Sequence, residues 1–136
     1  MINNLLKNDG LFLLHTIGVV DKPSPPNKFI NKYIFPGGIC PSLSQIVKPI
    51  EKTGLVVADT ETLIRHYDKT LLSWLSRFMA KKDLVKDMFD EKFVKMWSFY
   101  LASCAAAFRY RDLVVFQLQI VKNFNAARPT RDYIYS

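Results

Sequence analysis

Between Asn8-Asp9-Gly10 and Gly18 lies the run Leu11-Phe12-Leu13-Leu14-His15-Thr16-Ile17, in which no polar residue precedes His15. It is bounded by turn residues and too short for an ordinary helix. It therefore predicts a β-strand buried on both faces, as at a central position of an α/β sheet. A strand this apolar is an aggregation hazard at an exposed edge, so the run also predicts a covering element that the rest of the chain does not obviously supply.

The punctuation downstream divides the remainder. Residues 2–7 read as the tail of a helix. Prolines at 23, 25 and 26 forbid a helix across residues 21–28. Residues 29–33 allow one helical turn, closed by Pro36-Gly37-Gly38. Ser42 is a candidate N-cap for a helix over 43–52 that ends near Gly54, and residues 55–59 read as a short strand. Leu63, Tyr67, Leu71, Trp74, Leu75 and Phe78 recur at three- and four-residue steps, which predicts a helix within 61–80. Asp90 caps a second helix, with Glu91 in its first turn and Phe93, Trp97, Tyr100, Leu101, Cys104 and Phe108 along its stripe. Residues 113–121 alternate as a strand, with Phe116, Leu118 and Ile120 on one face and Val115, Gln117, Gln119 and Val121 on the other. Residues 123–136 read as a loosely ordered tail. The expected fold is a single α/β domain over residues 1–136, with three strands and covering helices.

Composition removes several function classes. With 49% hydrophobic and 23% charged residues, the chain can build a core and is not disordered. No apolar run reaches the ~20 residues of a membrane span, and no signal peptide is read at the N-terminus, so a cytoplasmic protein is expected. Two cysteines and two histidines fall short of a structural zinc set. Cys40 and Cys104 are read as small buried hydrophobes. The net charge is +7, with six lysines against four acids over residues 1–60 and 13 bases against eight acids over 61–136. Such a surface favours anionic partners or merely keeps the protein dissolved. Lys81, Lys82, Arg109 and Arg111, with aromatics nearby, are candidate contacts of a basic module that binds anionic lipid; a nucleic-acid partner is not expected.

Three segments carry a resemblance. They are Leu11-Phe12-Leu13-Leu14-His15-Thr16-Ile17-Gly18; Phe29-Ile30-Asn31-Lys32-Tyr33-Ile34-Phe35-Pro36-Gly37-Gly38 with Pro41-Ser42-Leu43; and Met96-Trp97-Ser98-Phe99-Tyr100-Leu101-Ala102-Ser103-Cys104-Ala105-Ala106-Ala107-Phe108-Arg109. His66-Tyr67-Asp68-Lys69-Thr70-Leu71, Trp74 and Thr130-Arg131-Asp132-Tyr133-Ile134 fit the same order. Together they resemble the C-terminal portion of a cyclopropane-fatty-acyl-phospholipid synthase, across nearly the whole chain.

That resemblance implies part of a class I (Rossmann-like) methyltransferase sheet, with strands 11–17, 113–121 and 55–59 side by side and the last-formed strand antiparallel in the middle. It implies a reaction in which S-adenosylmethionine donates a one-carbon unit to the cis double bond of an unsaturated phospholipid at the membrane surface. A bound bicarbonate takes the departing proton. His15, Ile17 and Tyr100 match positions of the bicarbonate cage. From the residues alone, His15 also suits a satisfied core histidine, Tyr100 belongs to a buried stripe, His66 reads as structural, and the aromatic stripes read as core rather than acyl-chain tunnel. The five glycines, Gly10, Gly18, Gly37, Gly38 and Gly54, include no G-x-G. The resemblance thus supplies no S-adenosylmethionine-binding residue here, nor the family's upstream cage Cys and Glu; neither Cys40 nor Cys104 takes that position. It implies a chain inactive alone, either a relic or one half of a split enzyme whose separate N-terminal half pairs along strand 11–17. Its place would be cytoplasmic, peripheral to the inner membrane face. Simple methylation or hydroxymethylation of the acyl chain stays open as the parent reaction.

Overall fold

The computed structural model describes residues 2–135. Among them, α1 (Ile2–Leu5), β1 (Leu11–Val19), α2 (Lys28–Tyr33), α3 (Leu43–Glu51), β2 (Val56–Leu63), α4 (His66–Ala80), α5 (Lys82–Met88), α6 (Glu91–Tyr110) and β3 (Leu113–Val121) follow one another. The strands form one sheet in the order β1-β3-β2, and both pairings are antiparallel. The strand completed last therefore lies in the middle, as expected.

Alternation along β3 makes two unlike faces. Val114, Phe116, Leu118 and Ile120 form one cluster with Leu55, and Phe12, Leu14 and Val57 pack against it from the flanking strands. Leu43, Ile46, Val47 and Ile50 of α3 and Leu6 just beyond α1 close that layer. α3 starts where Ser42 was expected to cap it: the Ser42 N–H donates to Gln45 Oε1 at 3.3 Å. At the other end of the layer, the Lys122 ammonium donates to the Leu6 carbonyl at 2.6 Å. On the opposite face, Val115 joins Leu71, Leu101, Ala105 and Phe108, which brings α4 and α6 over one end of the sheet. α6 begins at Asp90, whose Oδ1 accepts from the Phe93 N–H at 2.6 Å. α4 and α6 run antiparallel, since Asp68 near the start of α4 meets Arg109 near the end of α6.

Three expectations need correction. β1 is not buried on both faces: Leu11, Leu13 and Ile17 are 45%, 51% and 37% exposed. The strand lies at the sheet edge, and none of the three belongs to a core cluster as Phe12 and Leu14 do. The strand expected over 55–59 continues to Leu63, because Glu61, Thr62 and Leu63 stay in register with Gln117, Phe116 and Val115. The helix expected within 61–80, with Leu63 on its stripe, therefore starts only at His66, after Arg65 has turned the chain with φ 63°. α5 was not anticipated.

The sheet has two local devices. Val57 pairs with Ile120 and Asp59 with Gln119, so Ala58 is a bulge that sets Asp59 on the same face as Gln119. Gly18 allows a close approach: a Cβ there would lie 2.4 Å from Phe116 Cε2 and 2.7 Å from the Pro41 carbonyl oxygen. The next residue, Val19, donates its N–H to that Pro41 carbonyl at 3.0 Å. The loop before α3 is thereby fastened to the end of β1.

The residues read as a tail form two 3-10 turns, Phe124–Ala126 and Asp132–Ile134. Arg131 pairs with Asp59 through two guanidinium nitrogens, one of them Nε at 2.8 Å. The Gln119 amide donates to the Tyr133 hydroxyl, and Arg128 stacks over the Tyr133 ring at 4.9 Å.

Candidate functional site

Residues that alternate along β1 share a face with their partners on β3. His15 lies opposite Gln117 and Ile17 opposite Val115, so both belong to the face over which α4 and α6 pack. The Gln117 amide nitrogen stands 3.0 Å from His15 Nδ1, and no hydrogen bond reaches His15 Nε2 from the described residues. His15 is exposed.

Tyr100 sits on α6, half-buried against the cluster that contains Val115. Its ring meets Trp97 at 5.0 Å and Phe35 at 6.2 Å. Phe35 belongs to the loop that is fastened to the end of β1, so loop and helix meet beside the strand end. Burial is the main cause that pushes the Tyr100 phenol above its usual range, helped by Cys104 and Tyr67. The group therefore stays an O–H donor at neutral pH. Its hydroxyl is engaged by no hydrogen bond among the described residues. Three sequence-predicted positions thus lie on one side of the sheet: an imidazole with one nitrogen held and one free, an unpaired phenol, and the strand end at Ile17. Such donors suit a small anion.

The neighbouring part of that face is polar. Leu13, Asp59, Glu61, Gln117, Gln119, Arg131 and Ile134 line a cavity of about 170 Å³. Arg131, by hydrogen bond first and charge second, holds the Asp59 carboxyl below its usual range. Spacing along one strand did not reveal Gln117 as the partner of His15. The alternation did place Gln117 on the right face, but only the register put it opposite His15.

A larger cleft, of about 530 Å³, opens elsewhere, at the start of α4 and the end of α6. None of His15, Ile17 and Tyr100 lines it. Asp68, 4% exposed, accepts from Arg109 Nε at 2.7 Å there, and that hydrogen bond is the first cause of its lowered pKa. His66 Nδ1 lies 2.9 Å from the Ile64 carbonyl oxygen, in keeping with a structural role.

The four cations considered for a lipid-binding patch do not gather. Lys81 and Lys82 follow the end of α4, and Arg109 and Arg111 stand at the end of α6. In an antiparallel pair those are opposite ends, about 20 Å apart at 1.5 Å rise per residue. Both cysteines are free and half-buried, and burial pushes the Cys104 thiol up to about 11. No group of metal-ligating side chains occurs among the described residues. None of their helices is long and apolar enough to cross a membrane.

A family profile described as mycolic acid cyclopropane synthetase matches residues 1–118. The cyclopropane-fatty-acyl-phospholipid synthase of Escherichia coli is 40% identical over 118 residues, covering 87% of this chain and 31% of that protein. The tuberculostearic acid methyltransferase UfaA1 of Mycobacterium tuberculosis is 42% identical over 96 residues, 69% of this chain and 22% of its own. The chain thus spans less than a third of the length of these curated relatives. Among solved structures, the cyclopropane synthase MmaA2 of M. tuberculosis superposes with a TM-score of 0.79 at 28% identity, over 88% of this chain and 46% of that one. The mycolic acid cyclopropane synthase CmaA1, solved with SAH and CTAB, superposes at 0.77 with 30% identity, over 87% and 46%.

Proposed function

The chain belongs to the mycolic acid cyclopropane synthetase family, with the α/β fold of class I methyltransferases, and on that premise we propose that it contributes the anion-holding side of a lipid-alkylating centre. The observation that carries this reading is the state of two side chains. The His15 imidazole is tethered at Nδ1 and free at Nε2, and the Tyr100 phenol is kept protonated and unpaired on the same side of the sheet. These are the donors a bicarbonate-sized anion needs, and Ile17 adds a backbone N–H at the strand end.

When bound, S-adenosylmethionine would supply an electrophilic methyl group, and a bicarbonate held by His15, Ile17 and Tyr100 would supply a proton acceptor. This chain's residues fix where that proton acceptor sits. His15 and Tyr100 would orient it by hydrogen bonds, and the rings of Trp97 and Phe35 hold Tyr100 in place. An anion held there would also favour positive charge on a nearby alkylated double bond. The acceptor is the cis double bond of an unsaturated phospholipid presented at a membrane surface, on the cytoplasmic side.

These 136 residues contain no G-x-G turn, so the methyl donor needs a further cofactor-binding element, and the chain alone is inactive. That element pairs along β1, whose exposed Leu11, Leu13 and Ile17 offer it a surface. The test is transfer of labelled methyl from S-adenosylmethionine to unsaturated phospholipid vesicles. The folded chain alone should incorporate nothing. The chain together with a cofactor-binding half of the family should incorporate label, and His15→Ala or Tyr100→Phe should abolish it. Incorporation by the chain alone, or wild-type rates in both variants, would refute the proposal. Salt-sensitive vesicle binding without any methyl transfer would favour the basic lipid-binding module instead.

A further inference from the structure

We propose that Gln117 is a positioning residue that fixes the tautomer of His15. A glutamine amide nitrogen has protons to donate and no lone pair to offer, so His15 Nδ1, 3.0 Å away, must accept. A neutral imidazole that accepts at Nδ1 carries its proton on Nε2. The nitrogen left free is then a donor, as an anion requires. This use of the tautomer rests on the functional reading of His15, but the tautomer assignment does not.

The tether crosses the sheet. Gln117 stands on the middle strand, with His15 directly opposite on β1 and Glu61 directly opposite on β2. The amide is therefore placed between an imidazole and a carboxylate, both on the same face. Side chains directly opposite each other in an antiparallel pair have Cβ atoms only about 5 Å apart. Gln119, two residues along, already donates to the Tyr133 hydroxyl, which leaves Gln117 as the amide that serves the imidazole. A held second nitrogen sets which ring atom faces a ligand, as outer partners of metal-bound histidines do.

The second histidine provides an internal control of opposite sign. His66 Nδ1 lies 2.9 Å from the Ile64 carbonyl oxygen, which can only accept. His66 therefore carries its proton on Nδ1. The two histidines of the chain should be opposite tautomers for reasons that lie entirely in their partners.

Long-range proton–nitrogen correlation spectra of the chain labelled with 15N histidine read this directly, at a pH above the imidazole range. His66→Gln assigns the signals. The expected result is His15 protonated on Nε2 and His66 on Nδ1. In Gln117→Glu, whose carboxylate can only accept, the His15 proton should move to Nδ1 while the His66 signals stay where they were. A wild-type His15 protonated on Nδ1 would overturn the inference, as would an unmoved proton in the folded Glu variant. Should that variant not fold, a nitrogen–nitrogen coupling across the hydrogen bond between Gln117 Nε2 and His15 Nδ1 in the doubly labelled wild type decides. Its presence supports the tether and its absence refutes it. Titration with bicarbonate of the chain together with a cofactor-binding half of the family separates the two readings: the expected tautomer with no bicarbonate response of His15 keeps the tether and refutes the anion site.

Discussion

Phe12 and Leu14 of β1 pack into the layer beneath α3, while Leu13 and His15, one residue along, lie on the other face of the same strand. On the first face, Phe116, Leu118 and Ile120 are 2%, 0% and 1% exposed. On the second, Val115 and Val121 are as well buried, but the positions between them are Gln117 and Gln119. α4 and α6 cover one end of that second face, and Arg131 and Tyr133 reach its other end. The middle is left polar. Three strands thus divide two tasks by parity. One face supplies burial free energy at roughly 25 cal/mol per Å² of apolar surface, and the other holds polar groups that stability alone would not select.

The division can be tested from its heavy side first. Leu118→Ala, at the most buried position of the first face, should cost about 2–5 kcal/mol in denaturant unfolding. A cost below about 1 kcal/mol would mean that this face is not the core. Gly18→Ala should cost about 1–3 kcal/mol, because its methyl meets both the Phe116 ring and the Pro41 carbonyl oxygen. A wild-type melting temperature there would show that the loop before α3 is not fastened to β1.

The ionic contacts on the second side of the sheet should show in acid. Hydrogen bonds from Arg109 and Arg131 hold Asp68 and Asp59 below the usual carboxylate range. Their stabilisation is fully present above the unfolded carboxylate pKa and is lost as pH falls through the lower folded values. The melting temperature should therefore be flat near neutrality and fall below about pH 4. Asp68→Asn should lower it at neutral pH and flatten the acid limb; an unchanged limb would remove Asp68 from the account. His15→Ala comes last. As an exposed position, it should change stability by no more than about 0.5 kcal/mol while abolishing methyl transfer in the reconstituted assay. A loss of stability comparable to that of Leu118→Ala would erase the distinction between the faces.

Much of this was legible because alternation and caps are local signals. β3 runs over the expected residues 113–121, since Gln117 and Gln119 punctuate its apolar sequence with period two. The Asp90 cap and the stripe from Phe93 to Phe108 located α6. What stayed hidden depends on neighbours. α5 offers only Leu84, Val85 and Met88 among charged residues, too short a run for a repeating stripe. Glu61 to Leu63 fit a helix start as well as a strand end until their pairing with β3 is known. The exposure of β1 could not be read from its own residues, whose composition speaks for cover on both sides. For the candidate site, the resemblance supplied His15, Ile17 and Tyr100, whereas the Gln117 tether depends on register between strands 102 residues apart.

The central place of β3 also governs the sequence of assembly. β1 and β2 make no ladder with each other, so neither can join this sheet until residues 113–121 have been synthesised. During translation, the edge of β1 that receives β3 stays open through the making of about a hundred residues, while the α4–α6 hairpin can form from local contacts. Closing so long a loop is slow, and a waiting apolar strand invites wrong pairings. The sheet is therefore expected to form late and nearly all at once, when the chain's last strand inserts between two that have been waiting for it.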